Sequence, residues 1–138
     1  MINWKAVIST QADVLHAVNK KLVPVTDCEL SNDEYKAIEQ AQELIDDARR
    51  LLDYFAATPK EGTLYKNAAG RFEILDRVLT SGSRLEIMGT TEETEGEWFV
   101  GSVEFSDEFG GYYFNHNRHK VPLRVGMIVR IRESPKRS

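Results

Sequence analysis

The sequence predicts an α+β protein: an N-terminal antiparallel helical hairpin over residues 1–60, then a small antiparallel β-barrel with a basic C-terminal tail over residues 61–138. Three observations carry this. Apolar residues in 1–60 recur at three- and four-residue steps, the period of a helix face. From Leu79 to Phe114 they alternate at two-residue steps among glycines and aromatics, the period of a strand. Between the two patterns, Thr58-Pro59 stops a helix and Lys60-Glu61-Gly62 reads as a linker.

Trp4, Val7, Ile8, Ala12, Leu15, Val18 and Leu22 define a helix from Asn3 to Leu22. Asn3 is its N-cap, and Lys20 and Lys21 complement the dipole in its last turn. Pro24 forbids continuation, so VPVTDCEL reads as a connection. Ser31 and Glu34 have the spacing of a capping box and open a second helix. Its apolar line runs Tyr35, Ile38, Ala41, Ile45, Ala48, Leu52 and Phe55. At 1.5 Å per residue this helix reaches about 40 Å, long enough to fold back on the first. Ala41 and Ala48 allow close approach. Leu44 and Leu51 lie on a second face, which is expected to receive the β domain or a second subunit. The four-residue pairs Asp46–Arg50 and Arg49–Asp53 are expected on a solvated face.

In the β half, Thr63–Lys66 and Arg71–Ile74 flank the turn NAAG as a first hairpin. Ser81-Gly82 is a turn before a strand in which Leu85 and Ile87 point inward. Thr90–Glu97 is an acidic loop. Trp98–Phe105 then alternates, with Phe99, Gly101, Val103 and Phe105 on the core face and Trp98, Val100, Ser102 and Glu104 on the other. SDEFGG turns the chain into Tyr112-Tyr113-Phe114. From Met127 to Arg132, Met127, Val129 and Ile131 face inward, and ESPKRS is an expected frayed end.

The pattern L-x-x-G-x-x-L-E-I, then W-F-V-G-x-V, then G-Y-Y resembles a bacterial SH3-like barrel. It is carried by Leu79, Gly82, Leu85, Glu86 and Ile87, then Trp98, Gly101 and Val103, then Gly111, Tyr112 and Tyr113. The elements GRFEI, GSRLEI, GEWFVGSVE, GGYYF and VRIR are also similar to an uncharacterised small β domain family of Gram-positive bacteria, their phages and mobile elements. The likeness covers residues 63–132 and excludes the helices. It implies an SH3-like fold and a mobile-element setting, and says little about activity. The motifs with which signalling SH3 domains bind polyproline are missing from the chain, so that recognition does not carry over.

No catalytic constellation stands out. Cys28 lacks a spaced histidine partner, and Ser81-Gly82-Ser83 lacks the glycine pattern of a nucleophile elbow. Gly110-Gly111 is not followed by the Lys-Thr of a phosphate loop. Glu92, Glu93, Glu95 and Glu97 read as solvated loop charges. His116 and His119, flanked by Asn115 and Asn117, read as an exposed polar loop and fall short of a zinc set. No metal, no cofactor and no enzyme activity are expected. With no long apolar run, no signal-peptide pattern and one cysteine, the expected setting is cytoplasmic, with no membrane partner.

Charge is uneven. Residues 112–138 carry seven basic side chains against Glu133 alone, a segment charge of +6 in a chain of net −4. The residues expected to bind a partner are therefore Trp98 and Tyr113, as an aromatic platform, with Arg118, Lys120, Arg130 and Arg132 beside them. The leading expectation is a non-enzymatic protein-binding module with a protein partner, inhibitory or regulatory on a phage or mobile element, for instance against a host defence system. The free face of the long helix is a second docking candidate, including for a homodimer. The alternative is a nucleic-acid-binding accessory protein using the basic strand, a reading the acidic body of the chain opposes.

Overall fold

A computed structural model describes residues 1–89 and 91–133. The expected frayed end begins at Glu133; from Ser134 onward, including Lys136 and Arg137, it lies outside the described residues. The protein is α+β, with helices followed by antiparallel sheets. It divides into two compact units, one of Met1–Thr58 with Arg132 and Glu133, the other of Pro59–Ile131.

The helical unit is a hairpin of α1 (Trp4–Leu22) and α2 (Asn32–Ala56). The Asn3 side chain caps α1 by accepting from the Ala6 amide. At α2 the Ser31 hydroxyl accepts from the Glu34 amide while the Glu34 carboxylate accepts from the Ser31 amide. Both caps satisfy amides that a helix start leaves unpaired. The Ser31 amide, with its hydroxyl, holds the Glu34 carboxyl below its ordinary pKa. The stretch expected as a connection contains a 3-10 turn at Val23–Asp27. Pro24 sits in its first turn, where no amide partner is required, so it ends the α-helix without ending the winding.

The helices run antiparallel. Asn19 donates from its side-chain amide to Gln42 O at 3.0 Å; a turn back along α1, His16 faces Asp46, a turn forward along α2. The sides turned toward each other carry Ile8, Ala12, Leu15 and Leu22 against Ile38, Ala41, Ile45 and Leu52, all buried or half-buried. One expectation is overturned here. Asp53 is buried rather than solvated, its carboxylate 2.9 Å from Arg49 Nη1, and the same guanidinium reaches Asp46 at 2.8 Å. The Arg49 fork lets one cation serve both carboxylates, which is why a helix-surface pair can be buried. It also depresses the Asp46 pKa, chiefly through its hydrogen bond.

Among the described residues there are nine strands, all in the second unit but for Arg132 at the end of the last: β1 (Pro59–Thr63), β2 (Tyr65–Lys66), β3 (Phe72–Ile74), β4 (Arg77–Val78), β5 (Arg84–Met88), β6 (Trp98–Ser106), β7 (Gly111–His116), β8 (His119–Pro122) and β9 (Ile128–Arg132). Six form a sheet in the order β1-β9-β5-β6-β7-β8, and β2-β3-β4 form a smaller one. Lys60-Glu61-Gly62, expected as a linker, lies inside β1. Pro59 can open that strand because β1 is at the sheet edge, where a missing amide breaks no ladder.

The core is built from alternate positions of adjacent strands: Leu85 and Ile87, Val103, Phe114, Val129 and Ile131 are all buried. Gly101 is required by the contact of β6 with β7. A Cβ there would lie 2.2 Å from Asn115 O and 2.7 Å from the Phe114 ring. Phe105, expected in the core, is 54% exposed. β5 begins at Arg84, opposite Ser102, and the chain before it still bonds Val103 through the Gly82 amide and Ser83 O; at Phe105 the ladder partner is Tyr112 of β7. Alternation gives the face of a residue but not where the neighbouring strand stops.

Candidate docking surfaces

The expected binding residues do not form one site. Trp98, opposite Met88 at the start of β6, is half-buried, and the Arg130 guanidinium lies over its ring at 4.4 Å. Arg130 also donates to Glu86 at 2.8 Å, and Glu86 is fully buried although it lies between the inward-facing Leu85 and Ile87. The pairing Glu86↔Arg130 across β5 and β9 makes this an adjacent cross-strand ion pair, so Arg130 is an internal counter-charge as much as a surface cation.

Tyr113 shares the face of Trp98, because it stands opposite Glu104 in the β6–β7 ladder. Six residues separate Glu104 from Trp98, about 20 Å along a strand, so the two aromatics make no common platform. Instead Tyr113 pairs with Phe109 at 4.8 Å, and the Lys120 ammonium lies 5.6 Å from the Phe109 ring and 5.9 Å from the Tyr113 ring. Arg132, in the helical unit, donates to Phe55 O and Ala57 O and lies 4.9 Å from the Phe55 ring, closing the C-terminus of α2. Arg118 is exposed in the β7–β8 turn. Among the six, only Arg118 and Lys120 are exposed cations.

His116 and His119, expected in a polar loop, are strand residues paired with each other across the two-residue turn Asn117-Arg118. Asn117 takes a positive φ of 54°, which asparagine tolerates and which this turn needs. His116 is half-buried, 5.5 Å from the Phe99 ring and stacked on Phe114. Its Nδ1 lies 2.5 Å from Val100 O, which can only accept, so Nδ1 carries a hydrogen; the Asn117 amide nitrogen stands 3.4 Å from Nε2. A histidine committed in this way is a packing residue. Among the described residues no group of three or more His, Cys, Asp or Glu is placed to hold a metal ion.

The hairpin presents an extended apolar face. On α1, Trp4, Val7, Val14 and Val18 are all exposed and fall within about 80° of one another on the helix surface. Their centre is rotated about 75° from that of Ile8, Ala12, Leu15 and Leu22, with Trp4 in line with Leu22. On α2, Leu44, 62% exposed, and Leu51 are rotated about 100° in the same sense from Ile38, Ala41, Ile45 and Leu52. In an antiparallel pair, equal senses of rotation put both stripes on one side. The Asn19–Gln42 contact then sets Val18 level with Leu44. Leu44 and Leu51 read as a second face; of the matching α1 stripe, Trp4, Val7 and Val18 read as part of the helix's apolar line, and the structure exposes them.

In the β unit, a cavity of about 420 Å³ is lined by Ile87, Met88, Gly89, Thr91, Thr94, Phe99, His116, His119 and Val121. Its walls are mostly apolar and come from β5, β6, β7, β8 and the loop after β5. From the sequence, Ile87 and Phe99 read as core and Thr91, Thr94, His116 and His119 as loop residues, and only the fold brings them together.

The chain matches no protein-family model, no curated protein and no solved structure. Among the described residues no helix is long and apolar enough to cross a membrane.

Proposed function

We propose that the protein is a non-enzymatic protein-binding module whose main docking surface is the apolar side of the helical hairpin. The observation that carries this is the exposed stripe Trp4, Val7, Val14 and Val18 alongside Leu44 and Leu51. A contiguous apolar surface of this kind is kept by folded proteins mostly where another protein covers it. Its occupant is a partner protein or a second copy of the chain, since a helical hairpin readily completes a bundle with further helices. The β unit's resemblance to an SH3-like family of phages and mobile elements supports an inhibitory or regulatory role in a bacterial cytoplasm. The nucleic-acid reading has less support: Arg130 and Arg132 are engaged within the protein, which leaves Arg118 and Lys120 as exposed cations of the expected strand.

The test compares the wild-type chain with the variant Val14→Glu/Leu44→Glu by sedimentation and by co-purification from the native host. The wild type is expected to self-associate or to retain a stoichiometric protein, and the variant to lose it with its melting temperature unchanged. A wild type that is monomeric at about 100 μM and purifies alone overturns the reading. Binding to generic DNA or RNA that falls steeply with salt would favour the nucleic-acid alternative.

A further inference from the structure

We infer that the cavity at the open end of the β5–β6–β8 surface is a second, independent binding site, and that its ligand is a short basic peptide segment presenting one aromatic or long aliphatic side chain. At about 420 Å³ the cavity is of a size to receive one large side chain with adjoining backbone. Ile87 and Phe99 stand opposite each other in the β5–β6 ladder, and Phe99 meets His116 edge-to-face, so one wall is a continuous apolar and aromatic surface.

Of the polar side chains that line it, Thr91, Thr94 and His116 are already committed. Thr91 and Thr94 hydroxyls bond to each other at 2.7 Å, and the Thr91 amide donates to Thr94 Oγ1 at 3.1 Å. His116 Nδ1 serves Val100 O. The cavity therefore offers apolar burial and few free directional partners, which suits a side chain better than a polar metabolite.

The rim is also a built structure. The Gly89 amide donates to Glu97 O at 2.9 Å, and a Cβ on Gly89 would lie 2.2 Å from Thr94 O, so the loop sits directly on the end of β5. The charges on this loop are Glu92, Glu93, Glu95 and Glu97, all exposed, with no basic residue among them. Four carboxylates on the loop whose Thr91 and Thr94 line the cavity select a cationic ligand: the field draws in lysine or arginine flanks, while the cavity takes the central side chain. A single buried side chain binds weakly without such flanks, so the two features act together.

The probe is the peptide Lys-Lys-Phe-Lys-Lys, blocked at both ends and titrated into the full-length protein while amide and methyl chemical shifts are followed. Shifts are expected at Ile87, Met88, Phe99 and Val121. Replacing the central Phe by Ala, or the lysines by glutamates, is expected to weaken binding at least tenfold. The variant Glu92→Gln/Glu93→Gln/Glu95→Gln/Glu97→Gln, altered only at exposed positions, is expected to keep its fold, bind about tenfold more weakly and lose most of its salt dependence. Three outcomes overturn the inference: no shifts at millimolar peptide, equal binding of the Ala peptide, or benzylammonium binding as tightly as the peptide. The last would make the cavity a small-cation site.

Discussion

The two halves of this protein spend their apolar residues in opposite ways. In the β unit, Leu85, Val103, Phe114 and Val129 are fully enclosed, while in the hairpin only Ala12 and Tyr54 are buried among the apolar residues and Trp4, Val14 and Leu44 stand in the open. A sheet and its covering strands can close around side chains from several directions, whereas two helices can bury only the sides that face each other. The hairpin therefore keeps an apolar side that a partner can use, and the β unit carries the cavity beside β5. Polar groups follow the same division. Glu86 is buried against Arg130, and in the hairpin the fork of Arg49 holds Asp46 and buried Asp53.

The largest effect that tests this contrast is a matched pair of truncations. Leu85→Ala removes a fully buried side chain and is expected to cost about 3 kcal/mol in chemical denaturation. Leu44→Ala removes an exposed one and is expected to change stability by no more than about 0.5 kcal/mol at low protein concentration. Should Leu44→Ala cost as much as Leu85→Ala, the hairpin face is covered in solution and the contrast fails.

A smaller effect compares the start of α2 with the first β hairpin. Ser31→Ala removes the hydroxyl cap and is expected to lower stability by about 1 kcal/mol, measured by thermal melting. Acid sharpens the comparison. Glu34 is held below its ordinary pKa by Ser31, and Glu73 is held below its own mainly by the Tyr65 hydroxyl, at 2.5 Å. A carboxyl whose folded pKa is lowered contributes stability that is complete above its unfolded pKa of about 4.3 and is lost as pH falls through the folded value. Wild type should therefore exceed Glu34→Gln in stability near neutrality, and the difference should shrink below about pH 4. Tyr65→Phe should behave likewise at Glu73. A gap independent of pH would show that these carboxylates do not act through their charge.

The smallest effect concerns backbone strain. Leu75 and Asp76, between β3 and β4, both take positive φ, 48° and 67°. Leucine pays for this conformation and asparagine tolerates it. Leu75→Asn is expected to stabilise the β unit by about 0.5 kcal/mol, seen as a rise in melting temperature; a fall would mean that Leu75 packing against Gly62 outweighs the strain.

Much of the fold was legible because local rules fix it. The Asn3 and Ser31 caps, the stop before Pro59, the NAAG hairpin and the inward alternation of Leu85, Ile87, Val129 and Ile131 all follow from residues a few positions apart. The candidate sites were less legible. Trp98 and Tyr113 share a face as alternation implies, yet strand rise keeps them about 20 Å apart. Arg130 reads as a surface cation until its opposite strand is known to carry Glu86.

By itself, then, the sequence determined which segments wind, which extend and which side of each is apolar, because those depend on periodicity and on capping within a turn. Only tertiary structure decided that Lys60–Gly62 belongs to a strand beside β9, that Phe105 outruns its neighbour strand, that Asp53 and Glu86 are buried with arginines, and that two apolar stripes share one side of the hairpin. Each of those depends on which strand or helix lies alongside and in what register, and contacts between distant positions leave no local period to read.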